Sequence, residues 1–510
     1  MTSTPSPATL APAIPVTAGG HSMARVHMVG IGGAGMSAIA RILADRGLPV
    51  SGSDAKGSHV LTGLTQRGVL TAVGHAASNL DLLPGGPTVL VVSTAIRLSN
   101  PEVVQARHRG IPVVQRAVAL AALMSGYRSV CVAGTHGKTS TTSMLTVALQ
   151  GAGLDPSFAI GGELNESGSG AHHGTGDIFV AEADESDGSF LAFEPHGAII
   201  TNLEPDHLDH HGTAEAYEAV FDQFVDRIRP GGFLVMCLDD PGTAALAREL
   251  AERPGSPRII TYGFAEGAEL RITDHRPDGH GGTAAVQVAG NLDALVHVNA
   301  LVHVAVPGVH MMSNAVAALA AGLALNVPAA AMVAGLAGYT GVRRRFEYKG
   351  RAAGVSVYDD YAHHPTEVVA QLLAARTVLG GGSRNHPGDA GPRPQGRLVV
   401  IFQPHLYSRT VGFAAEFAGA LATADVAIVL DIYGAREDPM PGVTGELIAD
   451  LIPAAAVAAG RDCQVHYLPS LAAVPAAVGG LVQPGDLVIT MGAGDVTMLG
   501  PQLLEYLEQR

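Results

Sequence analysis

The stretch SVCVAGTHGKTSTTSMLTVALQ, residues 129–150, reads as a buried strand, a glycine-rich turn and a helix. Residues 130–133 supply the strand, and Met144, Leu145, Ala148 and Leu149 recur at helical spacing after the turn. Between them Gly134 and Gly137 let the backbone turn tightly and aim N–H groups inward, while the helix N-terminus adds a positive field. Lys138 can neutralise the charge of β- and γ-phosphates, and the Thr139 hydroxyl can bind Mg2+. Thr135, His136 and Ser140 complete the loop. The full phosphate-loop pattern would place glycine at position 132, where this chain has Val132, so the match is the shorter form G-x-x-G-K-T. A glycine turn with no ligand explains the flanking strand and helix less well. The segment implies ATP.

Outward from this loop, strand-like runs alternate with helical segments, which predicts an α/β fold with parallel sheets. In IFVAEADESDGS, residues 178–189, the strand ends at Glu182, with Asp184, Glu185 and Asp187 following. In TNLEPDHLDHH, residues 201–211, it ends near Asn202, followed by Asp206, His207, Asp209, His210 and His211. Mg2+ prefers oxygen ligands and tolerates an occasional imidazole, so these two strand ends are where its ligands are expected. Asp184, Glu185, His210 and His211 read better as helix caps or solvated side chains. His207 and His211 have the spacing of a zinc pair, but Leu208 stands where the H-E-x-x-H motif needs glutamate, so zinc is the weaker reading. Further strand–turn–helix signals precede and follow this block. GIGGAG, residues 30–35, fits G-x-G-x-x-G directly after a strand, and Asp54 ends the next one. Alone this suggests an NAD-dependent dehydrogenase; beside a separate ATP loop, a nucleotide-diphosphate substrate fits at least as well. ELRITDHRPDGHGGTAAVQVAG (269–290) and ALVHVAVPG (300–308) alternate like antiparallel strands, predicting an appended small sheet, and VSVYDDYA, RLVVIFQPH, VAIVLDIYGA and DLVITMGAGD look like strands of a third block.

The chain of 510 residues has room for about three domains of roughly 150 residues. With 47% apolar and 15% charged residues, there is ample material for buried cores. A net charge of −15 argues against a nucleic-acid partner, whose footprint is a basic face, while leaving room for local anion sites. Cys131, Cys237 and Cys463 are sparse and odd in number, which reads as reduced thiols. The first Lys or Arg is Arg25, and prolines interrupt every apolar run before it, so a flexible tail is expected rather than a signal peptide. No apolar stretch has the length of a membrane span. These features predict a cytoplasmic enzyme with no membrane or nucleic-acid partner, either monomer or homodimer.

Taken in order, GIGGAGMS, VSGSD, VVSTAI, AGTHGKTST, AEADESD, TNLEPDHLDHHG, VRRRFEY, DDYAHHPTEV, FQPHLYSRT and GAGD resemble the Mur ligases, in their alanine-adding branch. The similarity runs from about Arg25 to the C-terminus. It implies a flexible tail (1–24), a Rossmann-like UDP-N-acetylmuramate domain (25–127), and a central ATP-binding domain (128–340). A Rossmann-like domain that closes over the nucleotide follows (341–510), with a flexible insertion (380–396). By the same resemblance Gly30, Gly32, Gly33 and Gly35 would hold the UDP-sugar diphosphate, with Asp54 and Ser93 nearby. The residues 134–140 would bind ATP phosphates; Thr139, Glu182 and His207 would ligate Mg2+, in two ions. His310 and Asn314 would lie beside adenine, and Arg345, Asp360 and His363 near the ATP and the closure interface. His405 and Arg409 would receive the amino acid, L-alanine. Lys138, His207, Asp360, His363 and Arg409 are the candidates for catalysis.

The implied reaction activates the muramoyl carboxylate with ATP as an acyl phosphate, which the amine of L-alanine attacks, the first amino-acid addition in peptidoglycan precursor synthesis. Two departures stand out. Sibling enzymes that add later residues carry a carbamylated lysine in the helix AEAYEAVFDQF, where this chain has Phe221 and no lysine; and Leu406 stands where FQPH-x-YSRT often has arginine. Other ligands of the second metal are therefore open. The competing readings are a ligase that attaches a whole peptide, another Mur-type or folylpolyglutamate ligase, a dehydrogenase, and a nucleotide-binding protein without turnover.

Overall fold

The computed structural model describes residues 16–289, 300–380, 396–435 and 437–509. Three sheets carry the architecture. The first has five parallel strands in the order Leu70–Val73, Val50–Asp54, Val26–Val29, Val89–Val92, Val113–Gln115. This 3-2-1-4-5 order reverses beside Val26–Val29, so the loops after that strand and after Val89–Val92 open onto one crevice. The apolar runs VHMV and VLVV are buried along their whole length, as strands covered by helices on both faces must be.

The central sheet has ten strands. Ser157–Ala159, Ile178–Glu182, Arg128–Ala133, Gly197–Ile200, Phe233–Cys237 and Arg258–Gly263 run parallel in that order. The expected antiparallel strands do form, but they are continuous with this sheet. Leu270–Pro277 pairs in parallel with Arg258–Gly263, then turns antiparallel to Gly282–Val288, which pairs with Ala300–Val304. Helix Lys138–Gly151 packs on this sheet beside helix Val309–Ala324, and helix Ala329–Leu336 packs against both. The third sheet orders Glu347–Ala352, Val355–Asp360, Leu487–Met491, Leu398–Phe402, Val426–Val429, Gln464–Tyr467, antiparallel only at its first pair.

The expected tail is partly structured. Thr17–Ala18 pairs with His21–Ser22, and Ala18 and Met23 are buried in the core of the first sheet, because these two apolar side chains find a surface there. Residues 1–15 and 381–395 lie outside the described residues; Gly380 is the last residue of helix Pro365–Gly380. Among the described residues no helix is long and apolar enough to cross a membrane.

Candidate functional site

The loop after Arg128–Ala133 is shaped by two glycines at which any larger residue is strained. Gly134 has φ +124, and a Cβ there would collide with Thr201 Oγ1; Gly137 has φ +80, and a Cβ would sit 2.9 Å from Asn314 Oδ1. Thr201 closes the loop from the neighbouring strand end by donating to the His136 carbonyl at 2.6 Å. Val132, at the missing glycine position, is an interior strand residue paired with Ile199 and fully buried, so the turn starts too late to involve it.

Lys138 Nζ donates to the carbonyls of Gly134 (2.7 Å) and Thr135 (3.0 Å) and to Glu185 Oε1 (2.8 Å). Glu185, read from sequence as a cap or a solvated acid, is instead 1% exposed and is the counter-ion of this lysine. Burial pushes its carboxyl up to about 7, with Lys138 opposing. Thr139 Oγ1 donates to Glu182 Oε1 at 3.2 Å, and Glu182 Oε2 accepts the Gly161 N–H at 2.8 Å. A hydroxyl and a carboxylate in contact at the end of a phosphate loop are the hard-oxygen donors Mg2+ prefers. His207, with φ +53, lies 3.6 Å from Asp206; burial lowers its pKa, so it offers a neutral imidazole. Phe221 packs edge-on against Tyr217 and Phe190 in the core, and supplies no ligand. Thr135 Oγ1 donates to the Glu204 carbonyl at 2.8 Å, and Ser140 is buried in the first helical turn.

His310 and Asn314 both belong to helix Val309–Ala324, behind the loop. Burial drives the His310 pKa down to about 4, so its ring is neutral. A cavity of about 470 Å³ is lined by Pro307, Thr340, Arg345, Phe346 and Tyr348, among others, and neither His310 nor Asn314 lines it. Arg345 also reaches Thr139 Oγ1 at 3.5 Å. Asp360 is fully buried and accepts the Phe346 N–H (2.6 Å) and the Ala362 N–H (2.7 Å), which fixes the two loops that present Arg345 and His363. Burial pushes its carboxyl up to about 7 against the pull of Arg345. His363 sits 3.3 Å from Glu367, yet burial holds its pKa near about 3, which makes it a weak base.

Arg409 Nη2 donates to both oxygens of Asp206, at 2.8 and 3.1 Å, in a pair only 6–7% exposed. This pair ties the third sheet's loop to the central sheet's second acidic strand end. His405 stacks on Tyr433 at 6.0 Å and faces His363 at 5.6 Å. Leu406, in place of the expected cation, is 4% exposed with φ +67, a position where a charge would be desolvated.

In the first sheet Gly30 adopts φ +75 against Ile96, which lies in the turn that carries Ser93. Gly32 donates to Asp54 Oδ2 at 2.9 Å, and Gly33 caps helix Ala34–Asp45. A Cβ at Gly35 would meet Arg116 Nη1 at 2.8 Å, so Arg116 lies across the glycine loop. Its Nη2 also comes within 3.7 Å of Asp184 in the central sheet's acidic loop. Sequence reading missed Arg116, although the signal was present: the strand IPVVQ ends one residue before it, at the end of the sheet where ligands collect. Apart from His310 and Asn314, which lie on a helix, and Arg345, which precedes a strand, the expected site residues lie at strand ends of the three sheets or in the loops and helix starts that follow them, and the pairs Arg116–Asp184 and Arg409–Asp206 join those segments.

Three family models match successive parts of the chain. The Mur ligase catalytic-domain family matches residues 25–128, the Mur ligase middle domain residues 132–322, and the Mur ligase glutamate ligase domain residues 344–494. The UDP-N-acetylmuramate–L-alanine ligase of Saccharopolyspora erythraea is 60% identical over 488 residues, covering 95% of this chain and 94% of that protein. Its counterpart in Mycobacterium tuberculosis is 53% identical over 493 residues, covering 95% of each. Among solved structures, the UDP-N-acetylmuramate–alanine ligase of Thermotoga maritima superposes with TM-score 0.75 at 26% identity, covering 95% of this chain and 99% of that one. A murein peptide ligase of Psychrobacter arcticus gives 0.64 at 25%, with the same coverage.

Proposed function

The chain belongs to the Mur ligase family, and from that premise we propose that it joins L-alanine to UDP-N-acetylmuramate, driven by ATP. The observation that carries the reading is the convergence of three strand-end loops. Arg116 links the glycine loop of the first sheet to Asp184, and Arg409 links the third sheet to Asp206, with Lys138 and its loop between them. A reaction that brings a sugar nucleotide, a triphosphate and an amino acid together needs a centre of this kind.

The carboxylate of the sugar is a poor electrophile until phosphoryl transfer from ATP makes it an acyl phosphate; the amine then attacks and phosphate leaves. In this reading the residues 30–35 and Arg116 hold the UDP diphosphate. Lys138 gives up its carbonyl and Glu185 contacts to meet the β- and γ-phosphates, where a preorganised cation stabilises the charge that develops. Thr139, Glu182 and neutral His207 would hold Mg2+, one ion or two, which offsets the crowding of negative charge when bound. Arg409 would receive the L-alanine carboxylate by exchanging it for Asp206. Asp360 is a positioning residue, since both of its oxygens are engaged by backbone N–H groups. Closure of the third sheet over the loop excludes water, which would hydrolyse the acyl phosphate. The reaction is placed in the cytoplasm, where ATP and the sugar nucleotide are found.

Phosphate release from ATP with UDP-N-acetylmuramate present, assayed with L-alanine, L-serine, glycine or a tripeptide, tests the proposal. Release that depends on L-alanine supports it. Release that depends on the tripeptide, or none with any acceptor, overturns it.

A further inference from the structure

We propose that His136, Glu204 and His364 form a binding site for one borderline divalent transition metal of the Zn2+ class, separate from the Mg2+ position and bridging the central and third sheets. Their ligand atoms all lie within 4.8 Å of one another. His136 Nε2 and Glu204 Oε2 are 3.1 Å apart, close to the roughly 3.3 Å edge that metal–ligand bonds of about 2.0–2.2 Å make in a tetrahedron. Side-chain shifts of about 1 Å bring His364 into the same sphere.

The independent observation is His364. It is 2% exposed, and neither of its ring nitrogens has a hydrogen-bond partner. A buried imidazole with two unmet nitrogens is costly unless something takes up a lone pair. Its ring lies 4.7 Å from that of His136, and its other side is closed by Phe413 at 5.0 Å. Burial lowers its pKa, so the neutral, ligating form prevails.

The surroundings also match a metal site. Ligating imidazoles are usually oriented by a carboxylate on the other ring nitrogen, and ligating carboxylates by a hydrogen bond. His136 Nδ1 faces Glu367 Oε1 at 3.4 Å, which turns Nε2 towards Glu204. Thr366 Oγ1 lies 2.9 Å from both Glu204 oxygens. Two imidazoles and one carboxylate suit Zn2+ or Co2+ and are a poor set for Mg2+. Without metal, a proton does part of the same work: burial opposes charge on His136, but Glu204 and Glu367 raise its pKa to about 9. The metal displaces that proton. Because His136 belongs to the phosphate loop and His364 to the third sheet's first loop, an ion here pins the two together and slows their separation.

The test is a Co2+ titration of the full chain at pH 8, with excess Mg2+ to fill the oxygen site, followed by electronic absorption. The expected result is one equivalent of Co2+ with the intense visible bands of four- or five-coordinate nitrogen ligation, bleached by Zn2+. His364→Leu and Glu204→Gln each weaken binding by more than about 10-fold, and Thr366→Ala by about 10-fold. Circular dichroism and UDP binding by the distant first sheet report whether each variant is folded. Only the pale spectrum of six-coordinate Co2+ in the native protein overturns the proposal, whatever the variants do. So does Co2+ binding unchanged in folded His364→Leu and Glu204→Gln.

Discussion

Replacing Lys138 by methionine separates the catalytic and structural work of this residue. On catalysis, loss of one preorganised donor to a developing oxyanion costs about 3–4 kcal/mol, so turnover falls by about 100- to 1,000-fold or more. On stability, the change strips Glu185 of its cation, and breaking a buried pair ordinarily costs about 3–5 kcal/mol. Here the ionic cost at neutral pH is far smaller. The Glu185 carboxyl is already raised from its ordinary 4.5 to about 7, so at pH 7 the native protein already carries about 3 kcal/mol of that penalty. Without Lys138 the carboxyl keeps its proton, so the ionic part of the added loss at pH 7 is below about 1 kcal/mol, and the two lost carbonyl contacts add about 1 kcal/mol each at every pH. A raised carboxyl pKa destabilises the fold above the unfolded value, so the deficit relative to native grows as pH rises beyond 7, by up to about 1.4 kcal/mol per unit. Urea unfolding of both proteins at pH 6, 7, 8 and 9, with phosphate release measured in parallel, checks this. A variant that loses several kcal/mol equally at pH 6 and pH 9 refutes the assignment of Glu185 as its buried partner. Turnover within tenfold of native refutes the role of Lys138.

Gly137→Ala forces an alanine into φ +80 against Asn314, a strain of about 1–3 kcal/mol; calorimetry is expected to show a lower Tm and lost ATP binding with UDP binding kept. Arg409→Ala leaves Asp206 buried without its partner and is expected to cost about 3–5 kcal/mol. A double-mutant cycle with Asp206→Ala should return most of that as coupling, and additive losses would show that the two do not interact. His136, with its pKa raised to about 9, contributes stability that is complete below about pH 6.5 and is lost as pH rises through 9, at most about 3 kcal/mol. Glu367→Gln should flatten that decline in denaturant titrations between pH 6.5 and 9.5.

The legible part of the molecule was local. Gly134, Gly137, Lys138 and Thr139 could be read from neighbouring residues because a phosphate loop is made by one strand, one turn and one helix. Glu182 and Gly30 to Gly35 followed in the same way, each lying at the end of an apolar run. Glu185 was misread because three acids within four residues, Asp184, Glu185 and Asp187, give no sign of which one turns inward; only the position of Lys138, 47 residues away, decides it. Residues 17–23 were misread because a short segment with two glycines is ordered only by the surface it meets.

The α/β class, the G-x-x-G-K-T turn between strand and helix, and the alternation of apolar runs with polar ends were legible along the chain, since these depend on periodicity and on turn chemistry within about 20 residues. Tertiary structure set which side chains pair in charge, Arg409 with Asp206, Arg116 with Asp184 and His136 with Glu204 and Glu367, and which rings meet, His136 with His364. All of these contacts except His136 with Glu204 join different blocks of the chain. Their energies come from burial and from distances of 3–4 Å, which are set by how three sheets pack and leave no trace in the spacing of residues along one strand.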